Sequence, residues 1–178
     1  MDVVIDKEND SLLVSDFDAR KVIRYSLRNE NNRIDTIIQN INCLGLCIDD
    51  EGALYVVDNM IHAVRRYPRG SQQYTIVAGG NGKGNRLNQL NTPLHIAVDS
   101  EGSLYVTDNW NHRVMKWSKD AKEGIVVAGF EGYGNKNTQL SFPHGIVVDT
   151  NGNIYVAELG NHRITRWRKG GKTCDIIV

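Results

Sequence analysis

Residues 94–117 read LHIAVDSEGSLYVTDNWNHRVMKW, and residues 144–167 read HGIVVDTNGNIYVAELGNHRITRW. Residues 44–67, LGLCIDDEGALYVVDNMIHAVRRY, are a third copy, with Asp49, Asp99 and Asp149 standing 50 residues apart. A fainter copy opens the chain, with Asp6, then Leu12-Leu13-Val14-Ser15-Asp16, then Lys21-Val22-Ile23-Arg24-Tyr25. Its spacing is shorter, 42 residues from Asp16 to Asp58 against 50 from Asp58 to Asp108, and the difference lies mostly in the connection between copies. A repeat of this period governs the architecture and has to be read before any single motif.

Each copy holds four strand signals. Ile96-Ala97-Val98 is apolar, and Asp99-Ser100-Glu101-Gly102 then makes a turn, with side chains that bond their own backbone and a Gly for positive φ. Leu104-Tyr105-Val106-Thr107 is β-branched and aromatic, suited to a pleated surface. Asp108-Asn109-Trp110-Asn111-His112 closes a second turn, Arg113–Trp117 is the third strand, and Ile125-Val126-Val127 the fourth. No stretch shows helical periodicity of useful length. Strands one, two and four are nearly continuous apolar runs, as in small sheets covered on both faces. The mixed third strand is expected to lie outermost.

Four short strands per repeat predict an all-β chain, a β-propeller of four-stranded antiparallel blades. The blades are expected at about 1–38, 44–78, 94–128 and 144–178. A solenoid with one strand per turn would need a shorter period, and an immunoglobulin-like sandwich would not repeat its own sequence. The first blade begins within its first strand, and the fourth ends at Asp175-Ile176-Ile177-Val178 with no strand left over to latch a ring. An open arc of four would expose two blade faces. The expectation is a segment of a longer protein, with self-association or closure as a ring of four as the other ways to cover those faces.

The residues also carry a resemblance. The string Pro143-His144-Gly145-Ile146-Val147-Val148-Asp149, then Asn153-Ile154-Tyr155-Val156-Ala157-Glu158, then Asn161-His162-Arg163-Ile164 resembles the NHL repeat. Residues 93–117 match nearly as well. The copy at 43–67 has Cys43 for Pro and Ile61-His62-Ala63 for Asn-His-Arg, and the opening copy has Ala19-Arg20-Lys21 there. The resemblance implies a ring that usually closes with six blades. It says little about function, because function lives in sites grafted onto a fold.

Bulk composition removes some classes of function. Lys plus Arg and Asp plus Glu are 21 each, a formal net charge of zero, so there is no global attraction to nucleic acid or anionic membrane. No apolar run approaches the roughly 18 residues of a membrane span, and Met1–Asp6 lacks the pattern of a signal peptide. Three cysteines do not make a disulfide framework, and lean weakly toward a reducing, intracellular setting.

The repeated acids Asp16, Asp58, Asp108 and Glu158 are each followed eight residues later by a base, Arg24, Arg66, Lys116 or Arg166, across a tight hairpin. A feature remade in every blade is architectural, so these are expected to be structural pairs or turn bonds. The same holds for His62, His112 and His162, which sit in separate blades, too far apart to share one metal. Gly79-Gly80-Asn81-Gly82-Lys83-Gly84-Asn85 has phosphate-loop spacing, but Asn85-Arg86 follows instead of Lys-Ser/Thr, with no helix behind it. Gly129–Asn135 repeats the frame, so both are blade connections. Loops on a rigid scaffold often carry recognition, which makes Lys83, Arg86, Tyr133 and Lys136 candidate contacts. Cys43 and Cys47, four apart on a strand, are about 13 Å apart and cannot form a bridge.

His95 replaces a glycine of the innermost strand, and His144 stands one position earlier in the next copy; both are candidate channel residues. The resemblance implies a further possibility here, since some NHL propellers are peptide-amidating lyases holding zinc in the channel with histidines. Strand alternation argues against a joint site, because adjacent positions should point opposite ways. Blade four is locally basic, with Arg163, Arg166, Arg168, Lys169 and Lys172 around Trp167. Some NHL propellers attached to ubiquitin-ligase domains (TRIM-type) bind RNA on such a face, with an aromatic to stack a base. No nucleophile, base and orienting group can be assembled. The expectation is therefore a non-catalytic scaffold, without a cofactor, that binds a protein or another macromolecule through loops on one face. RNA binding is the second reading, through Arg166 and Arg168, and zinc lyase activity the third, through His95 and His144.

Overall fold

A computed structural model describes residues 1–28 and 33–178. Blade 1 comprises β1 (Val3–Asp6), β2 (Ser11–Asp16), β3 (Lys21–Ser26) and β4 (Ile34–Gln39). Blade 2 comprises β5 (Cys43–Ile48), β6 (Leu54–Asp58), β7 (Ala63–Tyr67) and β8 (Thr75–Gly79). Blade 3 comprises β9 (Pro93–Val98), β10 (Leu104–Asp108), β11 (Arg113–Trp117) and β12 (Ile125–Ala128). Blade 4 comprises β13 (Pro143–Val148), β14 (Ile154–Glu158), β15 (Arg163–Trp167) and β16 (Cys174–Ile176). Each blade is an antiparallel meander with its strands in sequence order. Among the described residues the one helical element is a 3-10 turn, Asn109–Asn111, so none of their helices is long and apolar enough to cross a membrane.

The first strands stand against one another along the axis, and each sheet runs outward from there. The mixed third strand, expected at the outer edge, lies inside its sheet, and the fourth strand is the edge. Composition misleads at both places. The charges of the third strand turn to acids near the hairpins: Arg24 to Asp6, Arg66 to Asp49, Lys116 to Asp99. The fourth strand is apolar yet leaves Ile34, Ile76, Ile125 and Ile176 exposed, because a meander places its last strand outermost.

Alternation along each strand sorts its residues to two sheet faces. In blade 3, Ile96, Leu104, Val106, Met115 and Trp117 pack with Tyr55, Val57, Val64 and Ala78 of blade 2. The opposite face, with Tyr105, Val114 and Ala128, packs on Ile154, Val156, Trp167 and Cys174 of blade 4. Leu13, Val22 and Ile38 of blade 1 meet Leu46, Leu54, Val56 and Tyr67 of blade 2 in the same manner. The core is therefore three layers between blades. Near the axis the backbones crowd: a Cβ on Gly45 would lie 2.7 Å from both the Cα of His95 and the carbonyl oxygen of Leu94.

Candidate functional site

The second turn of each blade and the connector to the next blade share one face, because β2-type strands end there and β1-type strands begin there. The turn residue ahead of the third strand has left-handed backbone in all four blades: Arg20, His62, His112 and His162, with φ between 51° and 53°. The last residue of two connectors is left-handed as well, Thr92 (φ 55°) and Phe142 (φ 48°). Such a conformation is uncommon outside glycine and needs surrounding contacts to hold it.

The repeated side chains supply those contacts. The Asp108 carboxylate, fully buried, accepts from Arg113 Nε at 2.7 Å, from Asn111 Nδ2 at 2.8 Å and from the Asn91 N–H at 2.7 Å. Arg113 donates onward to the carbonyls of Asn85, Arg86 and Gln89, and Asn111 to that of Gly84. Glu158, Asn161 and Arg163 do the same in blade 4, binding the Ser141 N–H and the carbonyls of Gly134, Asn135, Lys136 and Gln139. The acid, Asn and Arg thus bind the connector entering the blade. The histidine binds the connector leaving it: His62 Nδ1 accepts the Thr92 N–H at 3.3 Å, and His112 Nδ1 accepts the Phe142 N–H at 3.2 Å. Burial holds both imidazoles below the usual histidine value, which favours the neutral form that can accept.

Two expectations are corrected by this arrangement. The repeated acids do not pair with the base eight residues on. Asp108 and Glu158 pair with Arg113 and Arg163, five residues on and directly cross-strand, and Asp58 pairs with Arg65, seven on. Asp16 instead accepts the Ala19 N–H inside its own turn. The base at plus eight sits at the far end of the third strand: Arg24, Arg66 and Lys116 pair with first-turn acids, and Arg166 with Asp175.

His95 and His144 are also not kept apart. Their rings lie 4.8 Å apart. The register of β9 and of β13 slips next to these residues, and a bulge suspends strict alternation. Thr107 Oγ1, between them, accepts the His95 N–H and lies 3.0 Å from the His144 carbonyl oxygen. Asp2, just ahead of β1, reaches to 3.7 Å from His95 Nδ1. Burial lowers the His95 pKa, Asp2 opposes that shift, and His144 reinforces it. Among the described residues no three His, Cys, Asp or Glu side chains form a set able to hold a metal ion, and His95 and His144 are the two histidines at the axis.

The connector face carries an aromatic cluster. Phe142 packs on His112 (4.6 Å between centroids), Trp110 (6.0 Å) and Tyr133 (6.1 Å), and His112 packs on Tyr133 at 4.9 Å. Trp110 and Tyr133 are 58% and 65% exposed, although stacked on a fixed base. One blade back, the equivalent positions hold Met60, His62, Lys83 and Thr92. Lys83 and Tyr133 are repeat partners, each bridging to a buried leucine, Leu90 and Leu140. Arg86 and Lys136 are exposed on the same connectors. Trp110 stands in a turn where the neighbouring copies have Met60 and Gly160, and that contrast is its signal in the sequence.

The basic cluster of blade 4 is largely partnered. Arg166 and Arg168 both pair with Asp175, at 2.8 and 3.1 Å, and Lys169 with Glu101. Trp167, the stacking platform that the RNA reading would need, is fully buried between blades 3 and 4, as the repeat aromatic at the position of Trp117 and Tyr67. Grooves of about 530 and 640 Å³ open between blades 1 and 2 and blades 2 and 3, but Arg24 and Arg66 within them are already paired.

The family model for the NHL repeat matches residues 90–117 and 140–167. This chain carries NHL repeats. The matched spans begin at Leu90 and Leu140, the two fully buried connector leucines, and the carbonyls that Asn111, Arg113, Asn161 and Arg163 hold lie just ahead of them. No curated protein matches the chain significantly. Solved structures similar to it include a gluconolactonase from Xanthomonas campestris (TM-score 0.77, 19% identity, 98% of this chain and 60% of that one). A streptogramin B lyase (TM-score 0.70, 14% identity, 98% and 52%) and a chain of a nidogen/laminin complex (TM-score 0.73, 21% identity, 94% and 61%) are also similar. The NHL chain thus spans between half and about three-fifths of these structures, and at such identities the likeness is one of fold.

Proposed function

We propose that this NHL segment is a non-catalytic binding module that takes a protein partner on its connector face. The observation that carries the proposal is the Trp110–Tyr133 pair, exposed at its tip and fixed at its base by His112 and Phe142. Exposed aromatics with little freedom left to lose are the side chains that dominate protein interfaces. The flanking Lys83, Arg86 and Lys136 add a basic rim, which favours a partner with acidic residues around an apolar centre. Lyase or lactonase chemistry, as named for the similar structures, would need a reacting set that the His95–His144 pair does not supply alone.

A photo-crosslinking residue at position 133, compared with one at Gln72 on the opposite side, tests this in extract from the source cells. The expected result is a discrete protein adduct from position 133 only, lost with Trp110→Ala. A nuclease-sensitive adduct would replace the protein reading with RNA, and equal labelling from both positions would end the proposal.

A further inference from the structure

Blades 2 and 3 cover both faces of their sheets, but blades 1 and 4 each leave one face open. Val3 and Ile5 in β1 are 56% and 59% exposed, whereas Leu46 and Ile96, at the position of Val3 in the next two blades, are 5% and 6% exposed. At the other end Val147 is 63% and Ile164 37% exposed, whereas Val64 and Val114, the repeat partners of Ile164, are completely buried. Ala157 is exposed where Val57 and Thr107 are buried. The open face of blade 4 is the type that covers the next blade, and the open face of blade 1 is the type that is covered. The chain makes that junction three times internally, as its three core layers.

We infer that a second copy of this chain docks head to tail, laying the Val147–Ile164 face of blade 4 on the Val3–Ile5 face of blade 1. A second copy presents the matching surface, since each copy carries both halves of a junction it already forms three times. The contact is heterologous, so it propagates until it closes. Two arcs of four make eight blades, at the upper end of closed propellers, and arcs that do not close extend as an open coil. Asn59 and Asn109 clamp the next blade by donating to the carbonyls of Pro93 and Pro143, at 3.1 and 3.0 Å. Phe17 holds that place in blade 1 and Leu159 in blade 4, both exposed, so the junction between copies has an apolar residue in place of the Asn clamp, as the junction of blades 1 and 2 already does.

The test uses the full chain, with light scattering during gel filtration, and two double variants whose substituted residues are exposed: Val3→Lys with Ile5→Lys, and Val147→Lys with Ile164→Lys. The wild type is expected to run at twice the 20.0 kDa chain mass or above, increasing with concentration. Each variant alone should be a monomer with the wild-type circular dichroism spectrum. Mixed in equal amounts, the two variants should form a one-to-one dimer, since one intact junction remains. A wild type that stays monomeric at every concentration would overturn the inference and leave the faces to blades of another origin. Variants that associate as the wild type does, or a mixture that stays monomeric beside an associating wild type, would overturn it as well.

Discussion

His112 accepts the backbone N–H of Phe142 through Nδ1 at 3.2 Å, thirty residues away and one blade further round. The bond exists only while Nδ1 is unprotonated. Burial, the cause of the lowered pKa, favours that state in the folded chain, as it does at His62. A histidine with a depressed folded pKa contributes its full stabilisation above the unfolded value of about 6.5 and loses it as pH falls toward the folded value. Urea midpoints should be flat above neutrality and decline below that window. His112→Phe should remove part of the decline and cost about 1–3 kcal/mol at neutral pH, through an N–H left unpaired. An unchanged pH profile in the variant would show that this bond does not report on blade docking.

Arg113 joins a buried carboxylate to three connector carbonyls. Arg113→Met should destabilise by about 3–5 kcal/mol, mostly by leaving the buried Asp108 carboxylate without its cation. Arg168→Ala, on a mostly exposed pair with Asp175, should change the urea midpoint by no more than about 0.5 kcal/mol. Equal losses would mean that the connector bonds are replaced by water without cost.

Gly45 and Gly145 hold the same repeat position and differ in surroundings. A Cβ at 45 meets backbone at 2.7 Å, whereas one at 145 meets nothing closer than Ala157 Cβ at 3.7 Å. Gly45→Ala is expected to cost about 1–3 kcal/mol through overpacking, and Gly145→Ala to fall within about 0.5 kcal/mol of the wild type. Thermal melts of the two variants decide between crowding at the axis and a uniform preference for glycine there.

Trp110 and Trp167 separate binding from folding. Trp110→Ala should cost no more than about 0.5–1.5 kcal/mol, the worth of its ring contacts, and abolish partner labelling from position 133. Trp167→Ala, which empties a fully buried site, should cost about 3–5 kcal/mol. A large loss of stability in Trp110→Ala would make it part of the core rather than of a binding face.

The blades were legible because alternation and turn chemistry recur: Asp99 and Gly102, Asp108 and His112 fix where each strand starts and stops. Strand order within a blade was misjudged because composition reports which side chains have partners, not how far a strand lies from the axis. Lys116 is polar because Asp99 waits at the hairpin, and Ile125 is apolar although exposed. The His95–His144 approach was hidden by bulges, which no alternation rule anticipates. The pairing of Asp108 with Arg113 was missed because a cross-strand register had to be known first. Lys83 and Tyr133 were singled out from loop composition; their sharing one repeat position beside a histidine only emerged with the connectors in place.

The Asn and Arg of blades 3 and 4 reach back one connector, and the histidines of blades 2 and 3 reach forward one. Every such tie therefore has a neighbour at most one blade away, and none of them senses how many blades the arc contains. A chain built this way can lengthen or shorten by whole units during its history without any surviving unit having to change its bonds. Ring size is then decided only where the first and last blades of an arc meet.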